Sequence, residues 1–184
     1  MTEERVERRL AAVLAADVAG FSRLSGTDEE GMLARLRALR AEVINPEVVA
    51  HNGRVFKHTG DGFSLNFVAL SRQPGARSKS SAHPRAATQA FPPNRRLDFR
   101  IGIHLGDVVA EVDGDLMGDG INLAARIEGV AAVGGISLSH AAYEQVRDRL
   151  DIAFTDRGEV LLKNIARQGM TASASSGQLR DAIE

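Results

Sequence analysis

Residues 56–67 read FKHTGDGFSLNF, and how this stretch is taken decides the fold. Phe63, Leu65 and Phe67 alternate with other residues at the period of a strand that buries one face. Val55 to Thr59 is a second extended run, so Thr-Gly-Asp-Gly joins two antiparallel strands. Asp61-Gly62 is a preferred pair for a type I′ hairpin turn, and on that reading Asp61 needs no further role. A plain turn, however, has no use for a lysine four residues before its aspartate, and Lys57 stands there.

Outward from the hairpin, strand and helix periods alternate. Leu10 to Val18 is a short apolar run interrupted by Asp17 and bounded by Gly20, which reads as a buried strand. Thr27 and Asp28 can cap a helix through EEGMLARLRALRAEVI, where Met32, Leu33, Leu36, Leu39 and Val43 follow helical spacing, and Pro46 opens a second helical piece. Leu97 to Val109 reads as a strand interrupted by Gly102 and Gly106, and Gly118 to Ala132 as a helix that begins on glycines. Gly135 to Ser139, His140 to Leu150 and Ile152 to Leu162 continue as strand, helix and strand. Such interleaving predicts an α+β fold, helices packed on a mostly antiparallel sheet.

Composition limits the partners. The chain of 184 residues is 43% hydrophobic and 26% charged, enough for one domain with a core, and its net charge of -1 leaves no basic footprint for a nucleic-acid polymer. No run approaches the ~20 apolar residues of a membrane span. Cysteine is absent, which excludes disulfides and thiolate metal sites and fits a reducing cytoplasm. MTEERVERRL carries charge without an apolar signal core.

Ser71 to Arg96 breaks the pattern. It holds four of the five prolines, six basic and no acidic residues, and no Leu, Ile, Val or Met, so it cannot form an amphipathic core helix and reads as a solvated loop. If Ser78 and Ser80 use TCN codons, a frame displaced by two bases would turn each into NTC, which encodes only Phe, Leu, Ile or Val. Two compensating frameshifts, near Ala69 and near Phe91, would therefore account for the segment. Sequencing the gene tests this, and a displaced frame without a helical pattern would refute it.

Two constellations carry chemistry. Asp17, following LAAVLAA, and Asp61, in the hairpin turn, offer the carboxylate oxygens that hard divalent cations require. A strand-end cap and a turn residue are the structural alternatives, though an apolar setting makes an unpartnered carboxylate costly at Asp17. In DLMGDGINLAAR, Asn122 and Arg126 stand four apart on the predicted helix, an amide able to orient a hydroxyl beside a guanidinium able to meet phosphate charge. A solvated helix surface is the alternative there.

Together RRLAAVLAADVAGFSRL, FKHTGDGF, FRIGIHLGDVV, GDGINLAARIEG and LLKNIAR resemble, in this order, the catalytic domain of the class III adenylate and guanylate cyclases, most closely its bacterial, soluble members. The resemblance spans residues 9–167, with 1–8 as an extension, 71–91 replacing a helix of relatives, and 168–184 as a tail. It implies the ferredoxin-like cyclase fold and conversion of ATP to 3′,5′-cyclic AMP and pyrophosphate. Position by position it makes Asp17 and Asp61, with the backbone of Val18, ligands of two Mg2+ or Mn2+ ions. Val18 to Phe21, including Gly20, would meet the triphosphate, Lys57 and Asp115 the adenine, and Lys163 the phosphates. Asn122 would orient the ribose and Arg126 stabilise the transition state. It also implies a head-to-tail homodimer with shared sites, so that Lys57 and Asp61 serve opposite sites, in a cytoplasmic protein. Two other readings use the same residues: a catalytically silent nucleotide-binding or dimerisation module, and a metal-dependent phosphohydrolase with His104 or His58 as an added ligand.

Overall fold

The computed structural model describes residues 7–68, 97–110, 116–149, 153–160 and 169–174. Asp115, Lys163 and the 71–91 segment lie outside them. The chain runs through β1 (Glu7–Val18), α1 (Phe21–Ser25), α2 (Glu29–Leu39), a π-helical turn (Arg40–Ile44) and α3 (Asn45–Ala50). The hairpin β2 (Gly53–Thr59) and β3 (Gly62–Val68) follows, then β4 (Phe99–Ala110), β5 (Leu116–Met117) and α4 (Asp119–Gly129). The chain continues through β6 (Ile136–Ser139), α5 (His140–Val146), β7 (Thr155–Val160) and β8 (Gly169–Ala174). The strands form one sheet in the order β2-β3-β1-β4-β6-β8-β7, with β5 paired to β4. Every pairing is antiparallel except β4 with β6, as an α+β architecture requires.

β1 is central, and its two faces are both covered, which is why it reads as a nearly continuous apolar run. Ala16 and Val18 join Phe63, Leu65 and Phe99 beneath Met32, Leu36 and Leu39 of α2. Phe63 and Phe99 meet edge to face at 5.9 Å between ring centroids. On the opposite face Ala11, Val13 and Ala15 pack with Val108 and with Ala124 of α4. Asp28 caps α2, its Oδ1 accepting the Gly31 N–H at 2.9 Å, and Pro46 stands in the first turn of α3, both as the sequence predicts.

Small residues on this second face let α4 lie directly on the sheet. A Cβ at Gly102 would collide with the backbone of Ala124 and Glu128, whereas one at Gly129, the last residue of the same helix, meets nothing. Gly102→Ala is therefore expected to destabilise by about 2–3 kcal/mol, lowering the melting temperature by about 5–10 °C. Gly129→Ala should be neutral or slightly stabilising. Circular-dichroism melts of the two variants check this, and equal melting temperatures would refute the close approach.

Three local features depart from the sequence reading. The connection between β2 and β3 is Gly60-Asp61, because Thr59 pairs with Gly62, and neither residue has the left-handed φ of a type I′ turn. A bulge between Val55 and Lys57 breaks the alternation of β2. Phe56 packs into the α4-side core and Lys57 still stands opposite Ser64, which strict alternation would not allow. Finally, Gly169–Ala174, which falls in the expected tail, forms β8 between β6 and β7. Its GMTASA sequence has almost no large apolar residues to announce a strand, and its ladders with β6 and β7 supply the order.

Candidate active site

The register of β1 sets the centre of the site. Asp17 pairs with Gly62 on one side and Arg100 on the other, and Gly62 directly follows Asp61, so both aspartates reach one end of the central strands. Burial pushes the Asp17 carboxyl above its ordinary range, and the adjacent Asp61, by charge and by a side-chain hydrogen bond, pushes it further. Arg100 and the Val18 N–H oppose this rise. This crowding makes ionisation of Asp17 costly, a cost that a bound cation would offset, and hard oxygen donors so placed fit Mg2+ or Mn2+.

The chain beyond Asp17 is held by its backbone. Val18 is only 1% exposed and its side chain packs in the α2-side core, so any part it has in the site is through its peptide groups. The Ala19 N–H donates to the Asp98 carbonyl at 2.8 Å. Gly20 has φ 71°, a value that selects glycine, and its carbonyl accepts the N–H groups of Arg23 and Leu24 at the start of α1. Phe21 packs partly against the α2-side core.

Helix α4 presents different groups on different sides. Gly120, Ala124 and Ile127 are buried, while Asn122 is exposed and Arg126 half-buried. The Nη1 of Arg126 is buried with no hydrogen-bond partner, and Arg100, not Arg126, is the cation that acts on Asp17. Within one chain the structure thus brings the two aspartates together, while Asn122 and Arg126 stand four apart on α4 and neither is among the groups that act on Asp17.

Glu128 is a site residue that the sequence reading misses. It lies ~120–160° around α4 from Asn122 and Arg126. Burial, and then the negative charge of Asp17, raise its pKa from 4.5 to about 7, with Arg100 opposing and Asp61 adding to the rise. The available signal was its spacing, since Gly120, Ala124 and Glu128 stand four apart and form a stripe facing the sheet. A raised carboxyl pKa means that the folded state binds the proton more tightly. This contribution to stability is complete below about pH 4.5 and is lost as pH rises through about 7. In metal-free protein Glu128→Gln should remove that slope, so its melting temperature should gain on the wild type between those pH values. A difference independent of pH would refute the placement.

The remaining candidates fall elsewhere. Lys57 is exposed on β2, on the same sheet face as Asp17. His58 stands opposite Phe63, on the other face. His104 Nδ1 lies 3.0 Å from Ser139 Oγ, and burial lowers the pKa of the ring. Its partner on β1 is Val13, four residues and ~13 Å from Asp17, so the geometry gives His104 a packing role and not a ligand's. Among the described residues no helix is long and apolar enough to cross a membrane.

Residues 10–174 match the adenylate and guanylate cyclase catalytic domain model. The chain is 43% identical over 167 residues to putative adenylate cyclase 3 of Rhizobium meliloti (strain 1021), covering 91% of this chain and 28% of that protein. It is 26% identical over 193 residues to an adenylate cyclase of Mycobacterium bovis, covering 94% of this chain and 42% of that one. Among solved structures it resembles an adenylate/guanylate cyclase/hydrolase from Silicibacter pomeroyi, with 37% identity and a TM-score of 0.72 over 92% of this chain and 98% of that one.

Proposed function

The chain belongs to the adenylate and guanylate cyclase catalytic domain family, and from that premise we propose that it closes ATP to 3′,5′-cyclic AMP at two sites shared across a head-to-tail homodimer. The observation that carries this reading is the buried, unpartnered Nη1 of Arg126, on a helix from which Glu128 and not Arg126 meets the charge of Asp17. One chain holds an aspartate pair suited to metal and an Asn122–Arg126 pair whose guanidinium does not act on it. A second copy packed head to tail supplies the missing half to each site.

In this reaction the ATP 3′-hydroxyl loses its proton, a bond forms between O3′ and the α-phosphorus, and the bond from that phosphorus to the bridging oxygen breaks to release pyrophosphate. Two Mg2+ or Mn2+ ions, when bound, favour the ionised hydroxyl and offset charge on the α-phosphate oxygens. Asp17, Asp61 and the Val18 peptide group hold them. Val18 to Phe21 and Lys163 meet the phosphates, and Asn122 of the other chain orients the ribose. Arg126 of that chain meets the charge that grows at the α-phosphate.

Adenine offers a ring acceptor beside an amino donor, which suits recognition by an ammonium, from Lys57, and a carboxylate, from Asp115. Guanine reverses both. Lys57→Ala is therefore expected to lower kcat/KM for ATP by about 10²-fold and to narrow the preference over GTP. Incubation with ATP or GTP and either metal, with products separated by chromatography, tests the function. Cyclic AMP from ATP is the expected product. Release of inorganic phosphate would instead indicate a hydrolase, and nucleotide binding without turnover a silent module.

A further inference from the structure

The turn that carries Asp61 lacks the backbone that normally holds a two-residue hairpin. Primed turns match the right-handed twist of paired strands and other two-residue turns splay them, yet Gly60 and Asp61 have no left-handed φ. The missing restraint comes from elsewhere in the chain. Arg40 Nη2 donates to the Gly62 carbonyl at 2.8 Å and also lies 3.4 Å from the Thr59 carbonyl, so one guanidinium bridges the two residues that flank the turn.

How Arg40 gets there is a matter of helix geometry. Met32, Leu36 and Leu39 are the buried residues of α2, and Arg40, four residues after Leu36, continues that stripe toward the sheet. It opens the π-helical turn Arg40–Ile44, a local widening often found at functional sites. The arginine is half-buried and its Nε is buried with no partner, an unfavourable placement for a residue whose only task is to cover a surface. Asp61 provides the compensation, its negative charge favouring the charged guanidinium against the cost of burial.

We propose that Arg40 is a positioning residue of the metal site: by bridging the carbonyls of Thr59 and Gly62 it holds the Asp61 carboxylate beside Asp17. The inference rests on the reading of Asp17 and Asp61 as metal ligands. Arg40 is not itself assigned as a ligand, and acts on Asp61 through the turn.

Arg40→Met keeps most of the stem and removes the donors, and Arg40→Lys keeps the charge with a shorter reach. Mn2+ binding to the protein without nucleotide, followed by electron paramagnetic resonance, should weaken about 10- to 100-fold in Arg40→Met and less in Arg40→Lys. In metal-free Arg40→Met, amide hydrogen exchange over residues 59–63 should accelerate. In turnover assays the Mn2+ requirement should rise while kcat at saturating Mn2+ stays within a few-fold of wild type, a split that general loss of folding would not give. Wild-type Mn2+ affinity and exchange in Arg40→Met would overturn the proposal. If that variant does not fold, wild-type behaviour of Arg40→Lys in both measurements would overturn it. Asp61→Asn tests the underlying reading separately: if it binds Mn2+ as wild type does, the metal assignment fails, while the exchange measurement still decides whether Arg40 holds the turn.

Discussion

Replacing Arg126 with alanine is expected to lower kcat by about 10²–10³-fold while KM for ATP changes little, because in the proposed reaction the guanidinium meets charge that develops only in the transition state. The surroundings of Arg126 sharpen the expectation. Its Nη1 is buried and without a partner in the isolated chain, so the folded protein spends stability to hold it ready. Arg126→Ala should therefore melt at or above the wild-type temperature even as turnover falls. Steady-state kinetics and thermal melts on the same preparation check both halves. A variant that loses activity and stability together would point to a structural arginine.

Asp17→Ala is expected to cost about 10³-fold or more in turnover, since on the proposed reading the site loses a carboxylate ligand of its metal ions. Here too stability and activity should move apart. The Asp17 carboxyl is partly buried beside Asp61, and both the burial and the neighbouring charge raise its pKa, so its ionisation carries a cost in the metal-free protein. Metal-free Asp17→Ala should thus be at least as stable as wild type at neutral pH. The two inactive variants should also complement each other in a shared-site dimer. Random exchange of Asp17→Ala with Arg126→Ala gives half mixed dimers, each with one intact site of two, so about a quarter of wild-type activity should return. Activity that stays at the level of the separate variants, in a mixture shown to contain the mixed dimer, would sink the shared site.

Much of the fold is legible in the chain because its strongest signals are local. The apolar run before Asp17, the alternation of Phe63, Leu65 and Phe67, and the capped helix after Asp28 each follow from a short-range period and appear where expected. Asp17, Asp61, Asn122 and Arg126 each have an ordinary structural reading as well, a strand-end cap, a turn or a solvated helix surface, and only the five motifs in order single them out as site candidates. Glu128 and Arg40 escape that reading. Each looks like an ordinary charged helix residue until the sheet is laid against it, and only then does one face Asp17 and the other reach the Asp61 turn. β8 escapes it too, since its small residues are ordered by the neighbouring strands.

By itself, then, the sequence determined which residue types were available and on which elements they stand, because propensity and hydrophobic period act over a few residues. Tertiary structure alone decided how those elements are aimed. The register of β1 sets Asp17 between Gly62 and Arg100, the bulge at Phe56 keeps Lys57 opposite Ser64, and the missing side chain at Gly102 lets α4 approach the sheet. The turn that carries Asp61 depends on an arginine 21 residues earlier in the chain. Such long-range contacts leave no period in the sequence, because their energy is gained only when distant segments meet.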